Sequence, residues 1–318
     1  MKLINLTLEI TNKCNLKCAM CSIWEEKDKK ELSLTSISHF FNLSKIQYPI
    51  GSVSLTGGEV FLHSKIDSIY RYLYLMKKER RLAAIDIVTN GYFTNGIIDF
   101  LKNNSSYLDG LEIDFSIDGL ENNHNFQRGL KDAWKKTWST INHIKNNYPQ
   151  ISITVKYTIN RKNIDDLIPV SKLCKGQGIG FLPKFIEKDN VLYYHRIQKY
   201  NSLFNIQKES MDKAIEAIRQ IILEEKNSQK VLLLNKVIES QNKENIKSCR
   251  TPEFSLFVTC DGKVHPCIYM TPIGAIDFNL NECIDSNVHN ELIARGKNAD
   301  CSRCHAYHGY LRSFNFKD

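Results

Sequence analysis

Residues 9–21 read Glu-Ile-Thr-Asn-Lys-Cys-Asn-Leu-Lys-Cys-Ala-Met-Cys and follow an apolar, strand-like segment at residues 3–10. The stretch carries Cys14, Cys18 and Cys21. Three thiolates on one short loop can hold three irons of a cubane [4Fe–4S] cluster, which normally has four cysteine ligands. The fourth iron then has no protein ligand and stays open to a substrate or a cofactor. Structural zinc is the alternative, but zinc normally has four closed ligands, and no other Cys or His occurs before His39.

Short β-branched apolar runs alternate with amphipathic segments through the first 185 residues. The predicted strands lie at 3–10, 51–56, 84–89, 111–117, 151–159 and 179–184. The predicted helices lie at 33–46, 64–80, 94–103, 131–147 and 163–175. This alternation is typical of βαβ units in a parallel sheet, and right-handed crossovers curl six such units into a barrel-like surface. We therefore predict an α/β fold, a partial (β/α)6 TIM-like barrel, with its chemistry at the C-terminal strand ends where the cysteine loop begins.

The composition is that of a soluble globular protein with one or two domains, because 42% of its 318 residues are hydrophobic and 25% are charged. No apolar run approaches the roughly 18 residues that span a bilayer, and the N-terminus lacks a signal-peptide pattern. Ten cysteines without a secretion signal favour metal ligation in a reducing compartment. We therefore expect a cytoplasmic protein. The net charge of +8 is best explained by solvated helix faces, so we expect neither a nucleic-acid nor a membrane partner.

A second group of cysteines occupies the C-terminal region. Its members are Cys249, Cys260, Cys267, Cys283, Cys301 and Cys304. Residues 254–258 and 263–265 flank Asp261-Gly262, a typical hairpin turn. Cys301 and Cys304 form a C-x2-C pair, and two separated pairs can make a tetrahedral zinc site. Taken alone, this segment favours zinc and iron–sulfur about equally.

The spacing C-x3-C-x2-C after an N-terminal strand resembles the signature of the radical S-adenosylmethionine (SAM) superfamily. The resemblance implies that the open iron chelates the amino and carboxylate groups of SAM. It also implies that the reduced cluster cleaves SAM to a 5′-deoxyadenosyl radical, with electrons from a flavodoxin- or ferredoxin-type donor. Met20 stands where many members carry an aromatic residue. That position contributes mainly backbone contacts to the adenine in the family, so the departure leaves the expectation in place.

Motifs after the later strands resemble the SAM-binding residues of this superfamily. The run Thr-Gly-Gly-Glu-Val at residues 56–60 resembles the Gly-Gly-Glu-Pro motif that binds the SAM amino group, with Val60 in place of proline. Its glycines allow close backbone approach to a ligand, and a plain strand-to-helix turn is the alternative. Thr-Asn-Gly at residues 89–91 matches a recurrent turn of the family. The predicted SAM-binding residues are Gly57, Gly58, Glu59, Asn90, Ser116, Arg128 and Asn160.

Three of these residues have specific expected contacts. Ser116 and Arg128 resemble the pair that holds the SAM carboxylate, with a charge-assisted hydrogen bond from the guanidinium. A surface arginine in a loop is the alternative for Arg128. Asn160 resembles a ribose contact and shares one face of the fifth strand with Lys156 and Thr158, because side chains alternate. Lys156 can either touch substrate or pair with a buried acid.

The C-terminal cysteines resemble those of the Twitch domain, the shortened form of the SPASM domain. The resemblance implies one auxiliary [4Fe–4S] cluster, bound by Cys249, Cys267, Cys301 and Cys304. Cys260 and Cys283 remain, and either could replace one of these ligands. The expected organisation is a radical SAM partial barrel at 1–186, a helical connector at 187–247 and a Twitch/SPASM-like domain at 248–318.

We therefore expect a radical SAM enzyme that abstracts hydrogen from an unactivated C–H bond of a peptide or small-molecule substrate. Oxidation, cross-linking and epimerisation are the open outcomes. An aminosugar- or nucleoside-type radical SAM dehydrogenase or epimerase is the alternative within the superfamily. A zinc-ribbon binding protein is the alternative from another class.

Two features bear on the outcome and on the substrate. Epimerisation needs a hydrogen donor opposite the site of abstraction, and the thiol candidates are Cys174, Cys260 and Cys283. A free cysteine is, however, commonly just a small buried apolar residue. Peptide-modifying members often carry an N-terminal leader-binding domain. The first strand begins within ten residues of Met1, so we expect that domain to be missing or to be a separate protein.

Overall fold

The structure is a computed structural model that describes residues 4–41, 50–186, 191–193, 196–197, 206–239, 241, 251–267, 270–277, 280–287 and 289–291. Six parallel strands follow one another in the sheet. They are β1 (Ile4–Thr11), β2 (Ile50–Gly57), β3 (Leu82–Thr89), β4 (Leu111–Ser116), β5 (Ser152–Ile159) and β6 (Gly180–Phe185). The helices between them are α1 (Leu34–Phe41), α2 (Ile66–Lys78), α3 (Thr94–Asn103), α4 (Glu121–Arg128), α5 (Ala133–Asn147) and α6 (Leu167–Gly176). The predicted βα order of the barrel is confirmed.

Helix α4 is absent from the predicted set. Its sequence is polar apart from the exposed Phe126, and its buried residues are His124, Gln127 and Arg128. An apolar stripe, which normally marks a helix in a sequence, is therefore missing from α4. The predicted helix at 33–46 is described as far as Phe41, and the rest of that segment lies outside the described residues.

The strands present an apolar face and a polar face. On β1, Leu6, Leu8 and Ile10 are fully buried and belong to the same core cluster as Ile69 and Leu73 of α2. Because side chains alternate along a strand, the residues between them point to the other face of the sheet. That face carries mostly polar side chains, many of them only half-buried. The apolar layer between sheet and helices stabilises the fold, and the polar face is left for the barrel interior.

Two further helices continue the chain after the short strands β7 (Val191–Tyr193) and β8 (Arg196–Ile197). They are α7 (Lys208–Glu224), which packs on α6, and α8 (Ser228–Glu239), which packs on β6. Both lie within the predicted helical connector at 187–247. Among the described residues, no helix combines the length and the apolar character needed to cross a lipid bilayer.

The C-terminal region joins the same sheet. After α9 (Thr251–Phe254), strand β9 (Ser255–Val258) pairs in parallel with β1. Strand β10 (Lys263–His265) pairs antiparallel with β9, and β11 (Gly274–Ala275) pairs with β10. The predicted hairpin therefore forms, with its turn at Gly262, where φ is +85°. The described part of the predicted auxiliary-cluster domain, which ends with α10 (Leu280–Ile284) and a few further residues, thus extends the barrel sheet on the outer side of β1.

The sheet has two edges and does not close into a complete barrel. Its strand order is β11-β10-β9-β1-β2-β3-β4-β5-β6. Within the described ranges, β6 and β11 are therefore the edge strands and do not pair with each other. Strand β1, which leads into the cysteine loop, lies inside the sheet with β2 on one side and β9 on the other.

Candidate iron–sulfur and cofactor site

The cysteine loop begins directly after β1, at the C-terminal end of the parallel strands. Cys18 is buried, whereas Cys14 and Cys21 are half-buried. The main-chain N–H of Cys21 donates to the carbonyl of Cys18 at 3.2 Å. Asn12, at the start of the loop, donates from Nδ2 to the Asp28 carbonyl at 2.8 Å and accepts at Oδ1 from the Lys30 N–H at 2.7 Å. The loop is therefore anchored to the segment that follows it.

The two predicted glycines approach the cysteine loop itself. The N–H of Gly58 donates to the Thr11 carbonyl at 2.8 Å, and the N–H of Glu59 donates to the Lys13 carbonyl at 2.7 Å. A Cβ on Gly57 or Gly58 would overlap the carbonyl oxygen of Thr11 or Lys13, respectively, and Gly57 also has a φ of +141°. In the described structure, the close backbone approach predicted for a ligand is made to the loop that carries the cysteines.

Glu59 ties the ends of β2 and β3 together. Its side chain is fully buried, and its Oε1 accepts from the Thr89 hydroxyl at 2.7 Å. Its Oε2 accepts from the Asn90 N–H at 2.9 Å. Asn90 in turn donates from Nδ2 to Oδ1 of Asn15, in the cysteine loop, at 2.9 Å. Burial raises the pKa of Glu59, and the hydrogen bonds from Asn90 and Thr89 oppose that shift. Glu59 and Asn90 therefore position the cysteine loop.

Helix α4 holds the opposite side of the loop. The Ala19 N–H donates to the Gln127 carbonyl at 2.8 Å. At Gly129, where α4 ends with a φ of +73°, a Cβ would lie 2.7 Å from the Lys17 carbonyl oxygen. Nη1 of Arg128 lies 3.8 Å from Sγ of Cys18. Helix α4 and Gly129 at its end therefore contact three residues of the cysteine loop, which are Lys17, Cys18 and Ala19.

Asp118 and Gln127 are site residues that the sequence analysis missed. Asp118 accepts at Oδ2 from Arg128 Nη2 at 2.5 Å and at Oδ1 from the Thr158 N–H at 2.9 Å. Gln127 accepts at Oε1 from Asn160 Nδ2 at 2.6 Å. The available signal for Asp118 was its position in an Asp-Gly pair directly after β4.

The remaining predicted SAM-binding residues occupy different surroundings. Asn160 is fully buried, and its Oδ1 accepts from the Lys162 N–H at 2.9 Å. Ser116 is half-buried at the end of β4, in register with Lys156 of β5. The structure therefore brings Arg128 and Asn160 into one buried network with Gln127 and Asp118, and it leaves Ser116 beside the barrel interior.

The electrostatics of the cysteines fit a bound cation-rich group. The pKa of Cys14 is raised to about 12, chiefly by burial and in part by neighbouring Cys18, Glu59 and Cys21, while a backbone hydrogen bond from Leu16 opposes the shift. Burial also raises the pKa of Cys18, which Arg128 opposes. Metal ligation requires the deprotonated thiolate form of cysteine. A buried thiolate needs positive charge nearby, and iron supplies that charge.

The arrangement of the thiols differs from that of a single-ion site. Within the described ranges, no three His, Cys, Asp or Glu side chains are grouped so that one metal ion could bind them. Zinc needs its thiolates to converge on one ion at about 2.3 Å. A cubane instead gives each of three cysteines its own iron.

A row of charged residues crosses the polar face of the sheet. Nζ of Lys156 pairs with the Asp114 carboxylate and lies 3.9 Å from Oδ2 of Asp86. The hydroxyl of Ser54 donates to Asp86, so the row runs from β2 to β5. Burial raises the pKa of Asp114, and Lys156 opposes that shift. Of the two roles expected for Lys156, the structure shows pairing with a buried acid.

The C-terminal cysteines are only partly described. Cys267 is half-buried, and Cys260 and Cys283 are buried. The N–H of Cys260 donates to Oε2 of the buried Glu9 at 3.2 Å, which places Cys260 next to the end of β1. Cys283 lies on α10, with its Sγ 4.0 Å from the Ala275 carbonyl oxygen. The other expected cluster ligands, Cys249, Cys301 and Cys304, lie outside the described residues.

Cys174 belongs neither to the cysteine loop nor to the C-terminal group of cysteines. It is fully buried near the C-terminal end of α6, in the apolar layer between helices and sheet. Its carbonyl accepts from the Ile179 N–H at 2.9 Å, just before β6 begins. Because a helix of a βα unit runs back to the start of the next strand, Cys174 lies at the opposite end of the barrel from the cysteine loop. A hydrogen-donor role for Cys174 has no support in this position.

Sequence comparison places two regions of the chain in known families. Residues 8–169 match the Radical SAM superfamily, and residues 249–305 match SPASM, an iron–sulfur cluster-binding domain. The sporulation killing factor maturation protein SkfB of Bacillus subtilis is 30% identical over 183 residues, which cover 55% of this chain and 40% of SkfB. The antilisterial bacteriocin subtilosin biosynthesis protein AlbA of the same organism is 26% identical over 179 residues, 55% of this chain and 37% of AlbA. The match thus spans less than half of each relative.

Other similarities extend over most of the chain. A probable GTP 3′,8-cyclase of Sulfurisphaera tokodaii is 26% identical over 307 residues, 88% of either chain. Streptococcus suis SuiB bound to its precursor peptide SuiA superposes with a TM-score of 0.66, covering 98% of this chain and 70% of SuiB at 16% identity. anSMEcpe with bound AdoMet and Cp18Cys peptide gives a TM-score of 0.64, covering 97% of this chain and 88% of that one at 16% identity. At such identities, these two structures show a common fold.

Gly58→Ala tests the glycine contact. The added methyl group would overlap the Lys13 carbonyl, and overpacking of this kind costs about 1–3 kcal/mol. We expect a lower midpoint of thermal unfolding and a lower iron content after anaerobic reconstitution. Gly176→Ala is the matched control, because nothing lies within 4 Å of a Cβ at that position. Equal iron content in the two variants would contradict this account of the loop.

Replacing Cys14, Cys18 and Cys21 together with alanine tests the cluster assignment. We expect the loss of about four irons per chain, the content of one [4Fe–4S] cluster, with the C-terminal iron retained. Iron and sulfide assays of anaerobically purified protein measure this. Cys174→Ala controls for cysteine content and should keep all iron, since Cys174 lies in the apolar layer. An unchanged iron content in the triple variant would contradict the assignment of a cluster to these three cysteines.

Proposed function

Because the chain belongs to the radical SAM superfamily, we propose that it is a radical SAM peptide maturase, which abstracts hydrogen from an unactivated C–H bond of a ribosomal peptide. The observation that carries the proposal is its similarity, over 55% of the chain, to SkfB and AlbA, a maturation protein and a bacteriocin biosynthesis protein.

The predicted cofactors are confirmed in kind. A radical SAM domain binds a [4Fe–4S] cluster and SAM, and a SPASM domain binds auxiliary iron–sulfur clusters. The zinc-ribbon alternative is therefore disfavoured. When bound, the cluster and SAM supply the electron transfer and the radical, as cofactors generally carry such chemistry.

Within this proposal, the three loop cysteines hold the SAM cluster and the surrounding residues hold SAM. Arg128 Nε is a buried donor that has no acceptor among the described residues, so it is available to the SAM carboxylate. We assign Ser116, half-buried at the end of β4, as a second donor to that carboxylate. Gly57, Gly58, Glu59, Asn90 and Asn160 support SAM mainly by fixing the loop and the strand ends around it.

The chain's own residues also shape the substrate space. The polar face of the sheet, with Ser54, Asp86, Asp114 and Lys156, forms a hydrogen-bonded floor below the strand ends. Such a floor fixes charges in place below the reacting centre. The edges at β6 and β11 are unpaired with each other in the described part of the chain.

A second candidate is a nucleotide- or small-molecule-directed radical SAM enzyme. It is favoured by the similarity to a probable GTP 3′,8-cyclase, which runs over 88% of both chains. In either case, we propose one auxiliary [4Fe–4S] cluster bound by Cys249, Cys267, Cys301 and Cys304, and a flavodoxin- or ferredoxin-type electron donor. A separate leader-binding protein belongs to the peptide proposal only.

Anaerobic SAM cleavage distinguishes the two candidates. The reduced enzyme should release 5′-deoxyadenosine slowly alone and several-fold faster with its substrate, because hydrogen abstraction draws the cleavage forward. The candidate substrates compared are GTP and the peptides encoded beside the gene. Transfer of deuterium from a labelled candidate into 5′-deoxyadenosine identifies the substrate. Deuterium transfer from GTP but from no peptide would contradict the maturase proposal and support the nucleotide-directed enzyme.

The auxiliary site has its own test. The double variant Cys301→Ser/Cys304→Ser should lose about four irons per chain, the content of one cluster. It should still cleave SAM slowly, because a closed site with four thiolates cannot chelate SAM. An oxidative product should fail to form, since the product radical then lacks an electron acceptor. Loss of one zinc with unchanged iron would contradict the assignment of an auxiliary iron–sulfur cluster. Full product formation would show that the auxiliary site has a structural role only.

A further inference from the structure

Arg128 lies between a buried carboxylate and a cysteine of the loop. Its Nη2 is 2.5 Å from Oδ2 of Asp118, and its Nη1 is 3.8 Å from Sγ of Cys18. Arg128 is only 7% exposed and Asp118 is not exposed at all. Ion pairs buried this deeply often add little to stability, because both charges lose their hydration. The pair therefore calls for a further role.

The guanidinium is held in one orientation. Asp118 is fixed by the Thr158 N–H, which donates to Oδ1 at 2.9 Å, while its own carbonyl accepts from Asn163 Nδ2 at 3.0 Å. Arg128 itself is the last residue of α4, whose end is capped at Gly129. With both ends of the pair fixed, one edge of the planar guanidinium faces Asp118 and another N–H group faces the sulfur of Cys18.

We propose that Arg128, oriented by Asp118, raises the reduction potential of the cluster bound at the loop by charge and by an N–H···S contact to Cys18. The potential of an iron–sulfur cluster depends on its net charge and on hydrogen bonds to its sulfurs. Reduction takes one electron from the external donor and adds one negative charge to the cluster and its thiolates. A guanidinium next to one thiolate stabilises this reduced form more than the oxidised form.

Asp118 acts in the opposite direction but more weakly. Its negative charge disfavours added charge at Cys18, yet Asp118 bonds to Nη2 of Arg128, whereas Nη1 of Arg128 contacts that sulfur directly. Arg128 is a positioning and electrostatic residue in this role, and its Nε stays available for the SAM carboxylate. The inference rests on family membership and not on the peptide proposal, since the potential is measured without substrate and without SAM.

The experiment is a potentiometric titration of the reduced cluster, followed by electron paramagnetic resonance. The signal of interest is the one that disappears when Cys14, Cys18 and Cys21 are replaced by alanine. The variants are Arg128→Met, Asp118→Asn and the double variant Arg128→Met/Asp118→Asn. Arg161→Met is the matched control, because it removes the same charge from an exposed side chain, where solvent and salt screen it.

We expect the ratio of reduced to oxidised cluster, read at the wild-type midpoint, to fall about tenfold in Arg128→Met. That corresponds to a shift of about 59 mV for one electron. Asp118→Asn should raise the ratio, and Arg161→Met should leave it unchanged. The double variant removes both buried charges, so it remains informative if Arg128→Met fails to fold, and it should lie below the wild type.

Three results would overturn the proposal. A double variant with the wild-type midpoint would show that the charge and the N–H···S contact do not act on the cluster. A downward shift in Asp118→Asn would show that the pair acts by holding the loop geometry, since loss of a negative charge alone raises the potential. Weaker SAM binding with an unchanged midpoint would assign Arg128 to SAM alone.

Discussion

The position of the three loop cysteines depends on main-chain hydrogen bonds made from both sides of their loop. On one side, the N–H groups of Gly58 and Glu59 donate to carbonyls at the start of the loop, and on the other the Ala19 N–H donates to Gln127. An irregular loop cannot satisfy its own backbone groups, so it needs partners from neighbouring elements. Those partners come from the end of β2 and from α4, which follows β4. The parallel order of the sheet therefore fixes where the thiolates lie.

The network behind the loop explains why so many buried polar residues are tolerated there. A buried polar group destabilises the fold unless it finds a hydrogen-bond partner. Asn160 bonds to Gln127 and to the Lys162 N–H, and its own N–H donates to Asn163 at 2.8 Å. The hydroxyl of Tyr157 donates to the Asn163 carbonyl at 2.5 Å. Such mutual bonding favours one arrangement over others, and that arrangement is the one that orients Arg128 towards Cys18.

Sequence patterns were sufficient for the barrel and for the cysteine loop because both rest on local signals. Alternating apolar residues reveal strands, and the spacing of Cys14, Cys18 and Cys21 is visible in a single line of text. Helix α4 carries no apolar stripe, so its sequence periodicity does not predict a helix. Because the helix was not predicted, the contacts of Gln127 were not predicted either. The glycines at 57 and 58 were found for their conformational freedom, but what they approach depends on the neighbouring strand. Asp118 and Lys156 have partners on other strands, and only tertiary structure brings these together.

Strand β1 connects the loop to the C-terminal region as well. Thr7 pairs with Phe257 and Leu8 with Val258, so β9 runs in fixed register beside the strand that ends in the cysteine loop. The buried carboxylate of Glu9 accepts from the Cys260 N–H, which ties the turn after β9 to the same strand. Cys267 follows β10, the other strand of that hairpin. An auxiliary cluster that uses Cys267 is thus linked to the loop by a continuous hydrogen-bonded sheet. The shared sheet fixes the position of Cys267 relative to that loop, which a flexible linker would not do.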